Sequence, residues 1–174
     1  TTGSNITIGG VYTNIGALNL GTTSTITLNG TASQSLGSTF PSSVPNLNLN
    51  NSVGVNLNKA VAVSGTLTLG GNGSYTSISN ISGYTTLAYA ATAAQVTGSE
   101  LGSSITNLTI NNANGVTLTN PTTVTGALTF TSGRVEGDIT KNIVSGTTGI
   151  VNLMSANNYI NIQASPTPTI TAVR

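Results

Sequence analysis

The chain has 174 residues but only seven charges, four Lys or Arg and three Asp or Glu, and it contains no His, Cys or Trp. Charged residues make up 4% of it, against about 25% in ordinary soluble domains. Acid–base catalysis draws mainly on His, then on Asp, Glu, Lys, Tyr and Cys, and that supply is thin enough that no catalytic residue is nominated. Zinc sites built from Cys or His are excluded, and no metal or cofactor is expected. A net charge of +1 gives no basic face for nucleic acid. No run of about 18 apolar residues exists to enter a membrane, and no charged-then-apolar leader opens the chain. It starts at Thr1 rather than Met, which reads as a mature product or an internal piece of something longer.

Taken in chain order, the apolar residues alternate with polar ones. Asn5–Ile8, Ala17–Leu20, Thr25–Leu28, Asn46–Asn50, Val55–Asn58, Val61–Val63, Thr66–Leu69 and Thr167–Thr171 each place Ile, Leu, Val or Ala on one face and mostly Thr, Ser or Asn on the other. That pattern predicts short half-buried strands. Gly9-Gly10, Asn29-Gly30, Gly70-Gly71, Asn72-Gly73 and Asn114-Gly115 punctuate them as turn dipeptides. The Ala-rich stretch Leu87–Gln95 is too short and too uniformly neutral for a stable helix. The chain is all-β.

An internal repeat is the strongest signal. A shift of 61 residues aligns Thr31–Leu69 with Thr92–Phe130 and matches 18 of 39 positions, where composition alone gives roughly four. Gln34, Asn46, Asn51, Gly54, Gly65 and Leu67 recur as Gln95, Asn107, Asn112, Gly115, Gly126 and Leu128. Gly16–Leu20 echoes Gly65–Leu69 with a shorter gap before the next Gln, which places an insertion in a loop near Asn72–Gly83.

Within a unit, strands fall every six to eight residues and return to the first face after about 20. That is the rhythm of a coil with three short faces, stacked on its neighbours by parallel pairing at about 4.8 Å. The expected fold is a parallel β-helix or β-solenoid, with 61 residues making about three coils. A β-sandwich is the alternative, although the spacing leaves little room for hairpins. Residues 1–133 are assigned to solenoid repeats and 134–174 to a terminal β segment that caps them.

The string Asn107-Leu-Thr-Ile-Asn-Asn-Ala-Asn-Gly-Val-Thr-Leu-Thr119, continued by Thr123–Gly133, and its earlier copy Asn46–Gly70 resemble a unit of very large cell-surface proteins of Bacteroidota. The approach Ala93-Ala94-Gln95 and the close Gly133–Lys141 fit that style as well. These proteins are similar to adhesins exported by the type IX route, including those used in gliding motility. The resemblance covers roughly residues 28–145. It implies a secreted, extracellular location at the cell surface and a role in adhesion, and it brings no catalytic residues.

Arg134, Glu136, Asp138 and Lys141 gather four of the seven charges. They read either as a polar contact patch or cation site, or as a solvated edge strand that blocks unwanted pairing; two carboxylates are too few for a calcium cage. Lys59 and Glu100 read as lone loop charges. Tyr84 and Tyr89 fall on opposite strand faces, so one of them is core filler rather than part of a sugar-binding row. The resulting expectation is a non-enzymatic structural or adhesive module, a stiff segment of a long fibre. Its partners would be neighbouring repeats or identical subunits end to end, with surface glycans or abiotic surfaces beyond them. An ice-binding solenoid is the first alternative, from the pairs Thr25/Thr27, Thr66/Thr68, Thr117/Thr119 and Thr129/Thr131. A self-assembling filament subunit is the second, and a polysaccharide-cleaving solenoid is the least supported. Asn5–Ile8 is already strand-like, so the N-terminal edge is expected to be covered by a preceding repeat or a second subunit.

Overall fold

A computed structural model describes residues 3–12, 18–138, 143–145, 150–152 and 159–163. The chain divides into two compact units, Thr1–Ala91 and Thr92–Arg174. Each is a stack of coils joined by parallel strands, which is the β-solenoid and not the sandwich.

In the first unit the strands are β1 (Asn5–Ile8), β2 (Thr25–Leu28), β3 (Gln34–Ser35), β4 (Ser43–Val44), β5 (Asn46–Leu49), β6 (Gly54–Asn56), β7 (Val61–Val63), β8 (Thr66–Leu69), β9 (Ser74–Thr76), β10 (Ile81–Ser82) and β11 (Thr86–Tyr89). Three parallel sheets result. The long face runs β1-β2-β5-β8-β11, and the two shorter faces are β3-β6-β9 and β4-β7-β10. Thr25 to Thr86 is 61 residues and three coils on one face (86 − 25 = 61), so the sequence period is a whole number of turns.

The period-two pattern sends Ile26 and Leu28, Leu47 and Leu49, Leu67 and Leu69, and Leu87 and Tyr89 inward, each 2% exposed or less. Parallel register stacks them as two apolar files: Ile26, Leu47, Leu67 and Leu87 in one, Leu28, Leu49, Leu69 and Tyr89 in the other. Val55, Leu57, Val44, Val61 and Val63 close the core from the other faces. The Ala-rich stretch begins as a strand, as Thr86–Tyr89 requires, and Tyr89 is the core filler of the tyrosine pair.

Two sequence expectations are corrected. Asn72–Gly83 is not an inserted loop: it carries β9, a 3₁₀ turn at Ile78–Asn80 and β10, which pair in register with β6 and β7. The coil from Thr66 has ordinary length, and the missing residues were an artefact of the echo. Leu18–Leu20 is not a strand, because the long-face position equivalent to Thr66–Leu69 belongs to Thr25–Leu28. Residues 13–17 and the strand expected at Thr167–Thr171 lie outside the described residues.

The second unit contains β12 (Gln95–Val96), β13 (Ser104–Ile105), β14 (Asn107–Thr117), β15 (Thr122–Val124), β16 (Ala127–Asp138), β17 (Ile143–Ser145), β18 (Ile150–Asn152) and β19 (Tyr159–Gln163). β14 and β16 are long because each rounds a corner and serves two faces. The first half of β16 pairs with β14 and β18, the second with β14 and β19. Asn114-Gly115 sits in the skipped register of that corner, with Gly115 at φ +91°, a conformation glycine adopts without steric cost. The boundary expected at residue 133 falls inside β16.

Truncating Leu47 to Ala should cost about 2–5 kcal/mol, because a fully buried side chain leaves a cavity between two coils. Ile6→Ala, at a half-buried position on β1, should cost clearly less. Urea midpoints at constant slope would check the order, and equal losses would contradict it.

Candidate functional site

The charged cluster is only partly assembled. Arg134 Nε and Glu136 Oε1 form an ion pair on β16, with side chains 35% and 31% exposed. The Arg134 side chain also lies against Gly115, within 3.4–3.6 Å of where a Cβ would stand. Asp138 ends β16 with its backbone paired to Gln163, and Lys141 lies outside the described residues. The edge-strand reading is overturned, because β14 and β19 flank Arg134–Asp138 on both sides. The segment expected to cap the stack therefore continues it. An exposed pair of this kind contributes only about 0–1 kcal/mol.

Lys59 and Glu100 are not lone. Lys59 Nζ donates to Ser38 O at 2.8 Å and to Phe40 O. Glu100 is 8% exposed and accepts from Gly98 N at 2.7 Å. Among the described residues, no three Asp, Glu, His or Cys side chains gather as a metal site.

The repeat's identical polar residues meet inside the stack. Gln34, 4% exposed, donates through Nε2 to Ile8 O and Gly10 O, each at 2.8 Å, and accepts through Oε1 from Gly30 N at 2.9 Å. Asn51, fully buried, donates to that same Oε1 at 2.9 Å and to Ala32 O at 2.8 Å. Its Oδ1 accepts from Val53 N and Gly54 N, each at 2.8 Å. Both amides are fully engaged, and together they link three successive coils. The second unit repeats the arrangement: Asn112 donates to Ala93 O at 2.7 Å and Gln95 Oε1 at 2.9 Å, and accepts from Asn114 N at 2.9 Å.

In the coil between, a tyrosine takes the glutamine's place. Tyr75 Oη lies 2.9 Å from Leu49 O and accepts from Gly71 N at 3.0 Å. Those partners stand 26 and four residues before it, as Ile8 and Gly30 stand before Gln34. Tyr75 is thus a corner post, and Tyr12 packs its ring edge-on against Phe40 at 5.3 Å. The tyrosines form no sugar-binding row.

A second bridge uses Asn46, which donates to Ser24 O at 3.1 Å and accepts from Thr66 N at 2.8 Å. Asn107 accepts from Ala127 N at 2.9 Å in the same way. Gly65 and Gly126 leave room for it, since a Cβ at either would stand 2.5 or 2.6 Å from the asparagine Oδ1.

These amides neither titrate nor attack, so the assembled polar groups hold backbone rather than act on a substrate. The identity of Gln34/Gln95 and Asn51/Asn112 was visible in the repeat, but only the coil geometry brings residues 17 apart into one buried pair. No family model matches the chain, and neither a curated protein nor a solved structure is detectably similar to it.

Asn51→Ala strands two backbone N–H groups and the Ala32 carbonyl in the interior, and should cost about 3 kcal/mol or more. Tyr75→Phe, which removes one hydroxyl, should cost about 1–2 kcal/mol. Chemical denaturation would read both; an N51A loss smaller than that of Y75F would contradict the assignment.

Proposed function

We propose that the chain is a non-enzymatic structural module, a stiff spacer in an extracellular, surface-attached adhesive fibre. One observation carries this reading. The side chains able to do polar chemistry are largely spent on the backbone of the neighbouring coil, as Gln34, Asn51, Lys59, Tyr75 and Asn112 are. What faces outward on the long face of the first unit is short and neutral: Thr25 and Thr27, Asn46 and Asn48, Thr66 and Thr68, Thr86 and Ala88. Such a surface stays hydrated without charge, and a stack of hydrogen-bonded coils resists bending.

The resemblance to adhesin repeats exported by the type IX route supports the surface location and a role in attachment or gliding. No helix among the described residues is long and apolar enough to cross a membrane. Removing the repeat region from the parent gene should reduce surface attachment or spreading while leaving growth unchanged; unaltered attachment and motility would contradict the proposal.

The ice-binding reading draws on Thr25/Thr27 and Thr66/Thr68, which do share a face. Asn46/Asn48 is interposed between them in register, and Ala88 replaces a threonine in the next coil. Rows interrupted in that way argue against recognition of a regular solid. The expected thermal hysteresis is nil at millimolar protein, and a clear freezing-point gap would reverse this choice.

A further inference from the structure

Side-chain donors in this stack point one way. Gln34 reaches back to Ile8 O, Asn46 to Ser24 O, Asn51 to Ala32 O and Tyr75 to Leu49 O, always the carbonyl of the coil before. In the second unit Asn114 reaches back to Thr92 O and Thr122 to Gly102 O. Among the described residues, only Tyr12, bonded to Thr39 O at 3.4 Å, donates forward to a carbonyl. Each coil therefore offers donors toward the N-terminal side and leaves carbonyls for the coil that follows.

β1 is where this polarity stands open. It pairs with β2 on one side, and among the described residues no strand pairs with its other side. Its inward residues Ile6 and Ile8 are half-buried, whereas their register mates Ile26 and Leu28 are 0% and 2% exposed. Asn5 occupies the long-face row of Thr25 and Asn46. Its side chain is exposed, and no described residue hydrogen-bonds to it. The forward half of the asparagine bridge is closed there, because Ser24 stands where Gly65 and Gly126 make room in the later coils. Ser24 Oγ instead takes Ser4 N at 3.1 Å. Asn5 thus keeps its donor for a carbonyl on the far side of β1, as Asn46 uses its donor on Ser24 O.

We propose that β1 is a docking edge for a second copy of this chain, joined head to tail. The carbonyl-presenting side of one stack receives Asn5 and covers Ile6 and Ile8 of the next. Two β1 edges facing each other would oppose donor to donor, so the joint is heterologous and does not close on itself. It prolongs the coil-to-coil interface already running through the unit. The edge also lacks the charges, prolines and bulges that ordinarily prevent such pairing. The inference rests on reading the chain as a structural stack.

Sedimentation equilibrium of the intact chain from micromolar to millimolar concentration tests it. The weight-average mass should climb without a plateau. Ile6→Lys, an inward charge at the open edge, should restore the monomer, and Asn5→Ala should weaken association about tenfold with unchanged circular dichroism. Val53→Lys, the same charge at an exposed position elsewhere, should change nothing. A strict monomer, a plateau at dimer, or association indifferent to both Asn5→Ala and Ile6→Lys would overturn the proposal. None of these outcomes bears on the attachment assay, so the spacer role stands or falls separately.

Discussion

Every level of this fold depends on hydrogen bonds that pass from one coil to the next. Parallel strands supply the regular part, but strands of two to four residues cover only part of each coil, and the corners between them carry buried N–H and C=O groups. An unpaired buried group costs about 1–3 kcal/mol. The Gln34–Asn51 pair answers that cost at one corner, the Tyr75 hydroxyl at the next, and the Gln95–Asn112 pair at the matching corner of the second unit. With the corners satisfied, a core only a few side chains wide holds the coils in register.

The same constraint explains the composition. A stack this thin cannot bury a charge without a partner, and its two prominent exceptions prove instructive. Lys59 is engaged by the carbonyls of the coil below it, and Glu100 by a backbone N–H two residues away. Asn and Gln offer donor and acceptor together without ionising, so they suit a corner that presents both kinds of backbone group. Thr and Ser serve the outer faces, where β-branching favours the strand and a hydroxyl keeps contact with water.

Much of this was legible in the residues. Alternation placed β2, β5, β7 and β8 within a residue or so, because a strand with one buried face has a strict period of two. The 61-residue shift announced three coils because the coil length is nearly constant. What failed, failed for definite reasons. Leu18–Leu20 has the right alternation but falls between faces, where register rather than local pattern decides. Ser74–Ser82 looked like an insertion because Tyr75 replaces a glutamine, and chemical equivalence at a corner is invisible to letter matching. Arg134–Asp138 suggested an edge from its charges, yet strands on both sides pair with it. The buried amide pairs could be seen as identities but not as contacts.

Native-state hydrogen exchange tests the central claim most directly, because it reads the corner amides one by one. Gly30, Val53, Gly54 and Asn114 donate their backbone N–H groups to side-chain amides rather than to strand neighbours. If those bonds hold the stack together, these four amides should exchange only through global opening, with protection equal to that of Leu47 and Leu67 in the core strands. Exchange at the rate of an ordinary surface loop, with the strands still protected, would contradict the account.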